Sequence, residues 1–424
     1  MPSDAQNSES VEILTYRMFE QQKWDSLILA GEAAISAGTD YFYLRLRVGR
    51  AALELQQYAR AANHLEFAHN FNEADFDAAH LLYLAYRYGG RPVAAGFLCA
   101  RLSKKTAHTI CHKRYVPEIG AEAGFLTSNQ NKQYHTADFD QKLLYSEDHT
   151  FSSANYGLFT INQPLGYRLG LTAATTFWQF NKQRDVTIAG RDTLFSGYTI
   201  KQTAFFLAPA IILSKHFALE PALHRVTVSY TNPLVSYDSI NAKYVIPADE
   251  IKYHDFVTGV QLTYSQACFD LYAGAWVSRY ADHKLTQTGV GITLRPFGNL
   301  NVYSVSALNL AGRKDDMQLL FFQKAGFRLT KRLWLELFAS VGGHTGTSAF
   351  NARVFYNQID KVKFFAGGKF IVPLNSHVMF NLSYQWMEIE GNGLKIMPSL
   401  QKSVSIYKYQ NQIINGGLTW KIKG

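Results

Sequence analysis

The sequence lacks an apolar run long enough to cross a membrane as a helix. Its longest uncharged apolar stretch, residues 203–213, covers about eleven positions, whereas a helical span needs about 20 residues. The opening segment MPSDAQNSES has neither the basic start nor the apolar run of a signal peptide. We therefore expect a mature or recombinant chain without transmembrane helices.

Cysteine is also scarce. Cys99, Cys111 and Cys268 are the complete set, which is too few for a disulfide framework. One disulfide is possible, and Cys99 with Cys111 is the nearest pair in sequence, but we expect single buried thiols. His108, Cys111 and His112 supply at most three soft-metal ligands in one short linker. The sequence therefore predicts no metal site and no cofactor.

Charged residues and catalytic motifs are equally sparse. Only 18% of the residues are charged, and the sequence contains no phosphate-binding loop, zinc-protease or serine-hydrolase motif. We expect the protein not to be an enzyme. The net charge of +9 comes from basic residues scattered without a long run, which argues against a nucleic-acid partner.

Aromatic residues, by contrast, are abundant at 14% of the chain, yet the mean hydropathy is only −0.13. Apolar residues alternate with small or polar ones in residues 269–278, 378–386 and 414–422. This period of two is typical of strands that face lipid on one side and a wet lumen on the other. The pattern predicts an antiparallel transmembrane β-barrel over residues 116–424, with a soluble β-rich protein as the alternative.

The connections between the predicted strands differ in length according to their order. We predict about fourteen strands, starting near residues 116, 151, 166, 199, 216, 254, 268, 285, 299, 316, 332, 361, 376 and 411. The even-numbered connections are all short, whereas the odd-numbered ones include long loops at about 128–150, 181–198, 231–253, 345–360 and 390–410. Outer-membrane barrels have short periplasmic turns and long outer loops. Residues 350–356 and 395–407 could each belong to strands, which would change the count by up to two.

Residues 8–105 show a different, helical pattern that repeats every 34 positions, as in Trp24, Tyr58 and Pro92. A 34-residue period of paired helices resembles the tetratricopeptide (TPR) family. Arg45 departs from the family pattern, which usually has Trp there. The packing positions of the best-matching unit are Leu44, Val48, Gly49, Ala52, Tyr58, Ala61, Leu65 and Ala68. We expect residues 1–7 to be a flexible N-terminus and residues 106–115 a linker.

The TPR resemblance implies a concave surface that binds a peptide or a partner protein. Tyr16, Arg47, Arg50 and Arg87 are the candidate groove residues on the first helices of the repeats. In the alternative, the helices merely plug or cap the barrel. A short TPR domain before a barrel resembles the surface-lipoprotein assembly modulators and, more distantly, the TPR-containing exopolysaccharide exporters.

This architecture predicts an export or translocation channel in the bacterial outer membrane. Its periplasmic N-terminal domain would dock a client or partner protein, so the expected partners are outer-membrane lipid and a periplasmic or outer-membrane protein. The alternatives are a barrel-anchored scaffold subunit of a secretion or assembly complex, and a porin for small polar or anionic solutes.

Strand parity also predicts which charged side chains face the lumen. These candidate lumen charges are Arg168, Asp270, Arg295, Glu336, Lys363, Lys369 and Lys421. Because cations outnumber acids, an open lumen would favour anionic or polar solutes. In the alternative, the charges pair across a closed interior.

Overall fold

The computed structural model describes residues 2–111, 116–130, 144–188, 192–233, 236–238, 243–245, 248–280, 283–313, 316–357, 360–397, 399 and 401–422. Helices come first in the chain and strands follow. The helices are α1 (Pro2–Glu20), α2 (Trp24–Ser36), α3 (Phe42–Glu54), α4 (Tyr58–Phe71), α5 (Phe76–Tyr88), α6 (Pro92–Arg101) and α7 (Lys104–Cys111). Among the described residues, no helix combines the length and apolar character needed to cross a membrane.

The 34-residue spacing seen in the sequence marks the starts of helices. Helices α2, α4 and α6 begin at Trp24, Tyr58 and Pro92, and α3 and α5 begin at Phe42 and Phe76. Small residues let successive helices pack closely. A Cβ added at Gly49 of α3 would lie 2.5 Å from the Leu65 side chain of α4, so a larger residue at position 49 would push these two helices apart.

The expected packing positions lie mostly in the helical core. Tyr58 is half-buried, and its ring centroid lies 5.5 Å from that of Tyr88. Arg45 forms an ion pair with Asp40 and places its guanidinium 4.3 Å from the Phe67 ring centroid, so it packs as a flat group on an aromatic face. The fully buried positions are Leu44, Val48, Gly49, Ala52, Ala61, Leu65 and Ala68.

The two ends of the helical region differ from the expectations. Helix α1 already begins at Pro2, and α7 occupies residues 104–111, where part of a linker was expected. A disulfide joins Cys99 of α6 to Cys111 of α7, with 6.2 Å between their Cα atoms. The prediction of single buried thiols was therefore wrong, because α7 packs against α6 and brings the two sulfurs together. Cys268, in a short turn, is free but exposed.

Fourteen antiparallel strands form a closed barrel, as predicted, in which the first strand pairs with the last. They are β1 (Glu118–Ser128), β2 (Tyr145–Pro164), β3 (Leu169–Ile188), β4 (Asp192–Ile212), β5 (Phe217–Pro233), β8 (Ala248–Ser265), β9 (Phe269–Tyr280), β10 (His283–Leu294), β11 (Val302–Arg313), β12 (Asp316–Thr330), β13 (Leu333–His344), β16 (Lys361–Pro373), β17 (Val378–Ile396) and β18 (Lys402–Lys421). Two small hairpins lie in the connections: β6 (Ser236–Asp238) with β7 (Lys243–Val245), and β14 (Thr347–Ala349) with β15 (Val354–Tyr356).

Short turns join the strands at one end of the barrel, which we call the short-turn end. At the opposite end, two of the regions predicted to be long loops, about 181–198 and 390–410, are mostly strand instead. The β3–β4 ladder continues to Ile188 opposite Asp192, and the β17–β18 ladder continues to Ile396 opposite Lys402. Polar residues on both faces obscure the period of two there, but cross-strand hydrogen bonds still satisfy the backbone. The result is a wall of unequal height, with 20 residues in β3 and 12 in β10.

Candidate functional site: the barrel lumen and the helical surface

The outer face of the barrel carries a belt of exposed apolar side chains. Within one strand, alternate residues are exposed, as in β1, where Ile119 and Phe125 point outwards while Gly120 and Leu126 are buried. Only a closed barrel or a helix satisfies every backbone polar group in hydrocarbon. The apolar exterior and the closed ladder therefore make this a transmembrane barrel. Further exposed members of the belt are Phe159, Phe177, Leu223, Leu308, Leu337 and Leu382.

A connection folds back into the lumen instead of extending away from it. We call residues 345–357, between β13 and β16, the lumen loop; it contains the hairpin β14–β15. Ser278 of β9 donates a hydrogen bond to the Gly346 carbonyl (2.9 Å). The Gln287 amide on β10 bonds both the N–H (2.9 Å) and the carbonyl (2.8 Å) of Ser348. The loop is therefore fastened to the inner wall by its main chain.

The tip of the lumen loop reaches a third strand. The Nδ1 atom of His224 on β5 lies 2.7 Å from the Ala352 carbonyl. Asn351 accepts a hydrogen bond from Trp276 Nε1 (3.1 Å) and donates one to the Glu220 carbonyl (3.1 Å). Since β5, β9 and β10 all contact it, the loop lies across the interior of the barrel.

Two apolar walls enclose the lumen loop. Ala352 and Phe355 pack with buried residues of β4, β5, β8 and β9, including Val226, Val257 and Trp276. On the other side, Tyr356 packs against a second cluster that contains Val362, Phe365, Met387, Ile389 and Tyr409. Adjacent residues of β15 point to opposite sides, as in any strand, so Phe355 and Tyr356 contact opposite walls.

The loop tip also contains backbone strain. Phe350, Asn351 and Ala352 have φ values of 54°, 53° and 64°, and this left-handed region costs a residue other than glycine about 1–2 kcal/mol. Asparagine tolerates the conformation better than alanine or phenylalanine. Such strain persists only where the surroundings hold it, and here Ala352 is almost completely buried.

The candidate lumen charges are largely paired. Arg295 is buried and bonds Asp270 (2.6 Å), while Glu336 meets Lys324 (3.1 Å) and the Tyr303 hydroxyl. Two looser pairs are Lys363 with Glu390 and Lys421 with Glu118, both at 3.9 Å. Asp270 and Arg295 were both candidates, whereas Lys324, Glu390 and Glu118 were not, although their place on neighbouring strands was a usable signal.

Two of the predicted lumen cations lie in other settings. Arg168 lies in the turn after β2, where its guanidinium is 4.7 Å from the ring centroid of Phe97 on α6. Lys369 lies opposite Glu336 in the β13–β16 register. The ion pairs described above join neighbouring strands, so these charges are paired along the wall rather than across the interior.

Three of the four candidate groove residues lie near one another on the helical domain. Tyr16 and Arg50 line a shallow surface concavity together with Trp24. The Arg47 guanidinium lies 5.4 Å from the Tyr16 ring centroid and forms an ion pair with Glu12. The fourth residue, Arg87, is exposed on α5.

The helical domain contacts the short-turn end of the barrel. Lys215, between β4 and β5, donates a hydrogen bond of 2.7 Å to Glu66 of α4. Glu66 also accepts a bond from the Tyr86 hydroxyl (2.7 Å) and lies 3.6 Å from Arg91. Burial alone would raise the pKa of Glu66, but the hydrogen bonds from Lys215 and Tyr86 lower it below its usual value. Tyr167 of the first short turn packs on the helical core.

Comparison with known proteins finds similarity only at the level of overall shape. No protein-family model matches the chain, and no curated protein matches its sequence. The chain is similar to the Pseudomonas putida toluene transporter TodX (6% identity, TM-score 0.47, 73% of this chain and 91% of the other). A Pseudomonas aeruginosa FadL homologue has 6% identity and a TM-score of 0.45, over 73% of this chain and 90% of the other. The translocator domain of the Neisseria meningitidis autotransporter NalP has 10% identity and a TM-score of 0.32, over 82% of this chain and 98% of the other. Similarity this distant concerns the fold and carries no information about the function of the chain.

Proposed function

We propose that the protein is an outer-membrane translocation channel whose lumen loop closes it at rest. The barrel crosses the membrane, and the helical domain at the short-turn end, which we place in the periplasm, docks a client or partner protein. The TPR resemblance and the cluster of Tyr16, Arg47 and Arg50 support this docking role.

One observation carries the proposal: the lumen loop occupies the interior through hydrogen bonds to β5, β9 and β10. A barrel that served only as an anchor could be filled by side chains from its own strands. A separate segment in the lumen leaves space behind when it moves, and this is what a gated channel requires.

The test is conductance in planar lipid bilayers. Intact protein should give rare openings, and a variant with residues 346–356 replaced by a short Gly–Ser linker should give stable conductance. The Lys408→Ala variant serves as a control, because Lys408 pairs with Glu388 at an exposed site. If the loop-replaced protein is folded but does not conduct, the channel proposal fails.

The filled lumen also supports a second candidate, a barrel-anchored scaffold subunit of a larger assembly. The scaffold proposal predicts a stoichiometric complex recovered with the full-length protein, and a loop replacement that leaves conductance unchanged. A complex that forms through the helical surface should weaken in an Arg50→Glu variant.

A further inference from the structure

The inner wall holds the lumen loop largely through groups that every polypeptide possesses. Ser278 bonds a carbonyl of the main chain at Gly346, and His224 lies at hydrogen-bonding distance from the carbonyl of Ala352. Gln287 bonds both main-chain polar atoms of Ser348. The hydrogen bonds at these three loop positions are made by the main chain, apart from a longer contact of 3.3 Å between the Ser348 hydroxyl and Gln287. Position 346 of the seated loop nevertheless requires glycine, because its φ is 66° and a Cβ there would lie 2.2 Å from Leu285 Cδ1.

The geometry at Gln287 is that of strand pairing. Its side-chain amide presents one acceptor and one donor to the N–H and the carbonyl of one residue, as a neighbouring strand does in an antiparallel ladder. Its Nε2 atom also donates to Asn309 Oδ1 (3.1 Å), which fixes the amide orientation. Of the three loop residues bound by the wall, Ser348 lies in the extended strand β14, whereas Gly346 and Ala352 have φ values of 66° and 64° and mark the turns on either side of it.

The side chains of the loop meet surfaces of low specificity. Ala352 and Phe355 pack on the apolar wall around Val226 and Val257, and such contacts depend on area rather than direction. The exceptions are Asn351, which bonds Trp276 and the Glu220 carbonyl at the tip, and Asn357, whose amide lies 3.5 Å from Asp255. The tip is also where three consecutive left-handed residues occur, a cost that an incoming extended chain would not bear.

We infer that Gln287, flanked by Ser278 and His224, forms a binding site for the main chain of a polypeptide, which the chain's own lumen loop occupies at rest. A translocating polypeptide replaces the loop there and is held mainly by its main chain, so clients of different sequence are accepted. This inference rests on the proposed channel function and assigns its substrate class as unfolded polypeptide.

The test uses the loop-replaced full-length protein in detergent and a fluorescent peptide of residues 345–357, TGTSAFNARVFYN. Fluorescence anisotropy should report binding, and a scrambled peptide of the same composition should bind within about threefold. Gln287→Leu should weaken both peptides about tenfold, since it removes both hydrogen bonds to the main chain of the residue seated there. The matched control is Gln261→Leu on β8, whose amide contacts Thr263.

Backbone recognition has a sharper signature. A peptide N-methylated at Ser348 keeps its side chains but loses the main-chain donor that Gln287 accepts, so it should bind several-fold more weakly. Equal affinity of methylated and unmethylated peptides, or binding of the native order only, would overturn the inference. Peptide binding without conductance would contradict the channel proposal but support the binding site. Conductance without peptide binding would support the channel proposal but contradict the binding site.

A second measurement avoids the loop replacement. In a Cys268→Ser background, Ser348→Cys places a buried thiol on the seated loop of the full-length protein. Excess scrambled peptide should displace the loop and increase the rate of maleimide labelling several-fold. An unchanged rate at peptide concentrations that saturate the loop-replaced protein would contradict the inference.

Discussion

The Lys215 ammonium lies 2.7 Å from a carboxylate oxygen of Glu66, so a single ion pair joins a short turn of the barrel to helix α4. The carboxylate is three-quarters buried and also accepts the Tyr86 hydroxyl. Removing the cation therefore leaves a buried charge with less compensation.

Lys215→Ala should loosen the helical domain from the barrel by about 1–2 kcal/mol, since a hydrogen bond to a charged group is lost. Hydrogen exchange of α4 and α6 measures this as faster exchange. Lys408→Ala, at an exposed pair, should leave the exchange unchanged. Equal protection in both variants would show that the ion pair does not hold the interface.

The Cys99–Cys111 disulfide should stabilise the packing of α7 against α6. Its sequence separation of 12 residues predicts that Cys99→Ser with Cys111→Ser costs about 2–3 kcal/mol, through a less constrained unfolded state. The measurement is thermal unfolding of the helical signal by circular dichroism. Cys268→Ser removes the exposed thiol and should leave the transition where it is.

The pair of Asp270 and Arg295 should matter more to barrel stability than the other lumen charges. Arg295 is almost fully buried, so Asp270→Asn leaves its charge poorly compensated and should cost about 2–4 kcal/mol. Urea unfolding in detergent, followed by gel mobility, reports the loss. Lys363→Met should change the midpoint little, because that pair is long (3.9 Å) and more exposed.

Asn351 should control how often the lumen loop leaves its seat. Asn351→Ala removes two hydrogen bonds and a residue that tolerates the left-handed conformation, which together are worth about 1–3 kcal/mol. The frequency of spontaneous openings in bilayers should rise at least fivefold. Asn357→Ala should have little effect, because the Asn357 amide lies 3.5 Å from Asp255. If Asn357→Ala opened more often than Asn351→Ala, the loop tip would not be what holds the loop in place.

Acid should weaken the helical domain in two steps. Burial lowers the pKa of His64 below its usual 6.5, so the unfolded chain binds more protons just below pH 6.5 and stability falls as pH falls. The hydrogen bond from Arg60 lowers the pKa of Glu32 from 4.5 to about 2, so its stabilisation is complete above pH 4.5 and disappears towards pH 2. Thermal unfolding against pH should lose the first step in His64→Gln and the second in Glu32→Gln.

The sequence predicted the barrel well because its signals are local. The alternation of apolar and polar residues from Val378 to Trp386 arises because one face of the strand meets lipid. Consecutive connections of an antiparallel barrel lie at opposite ends, so short turns and long loops alternate along the chain. The helix starts at Trp24, Tyr58 and Pro92 follow from a repeat that each pair of helices needs for packing. These features need no knowledge of distant contacts.

The lumen site was not predictable in the same way. Gln287 and Ser348 are 61 positions apart, and only the inward fold of the loop brings them together. The alternation along β9 places Trp276 and Ser278 on the inward face of the strand. It does not indicate what these side chains bind. The Cys99–Cys111 pairing likewise depends on α7, a helix that the sequence analysis placed in a linker.

The unequal strand lengths give the barrel a slanted rim at the end opposite the short turns. All strands meet at the short-turn end, so the eight residues by which β3 exceeds β10 raise one side of the opposite rim by about 20 Å, at a rise of about 3.3 Å per residue and a tilt near 40°. The rim is a slanted cut, high along β2–β4 and low along β9–β11. In the proposed channel, a polypeptide leaving over the low side would clear the wall about 20 Å sooner than one leaving over the high side.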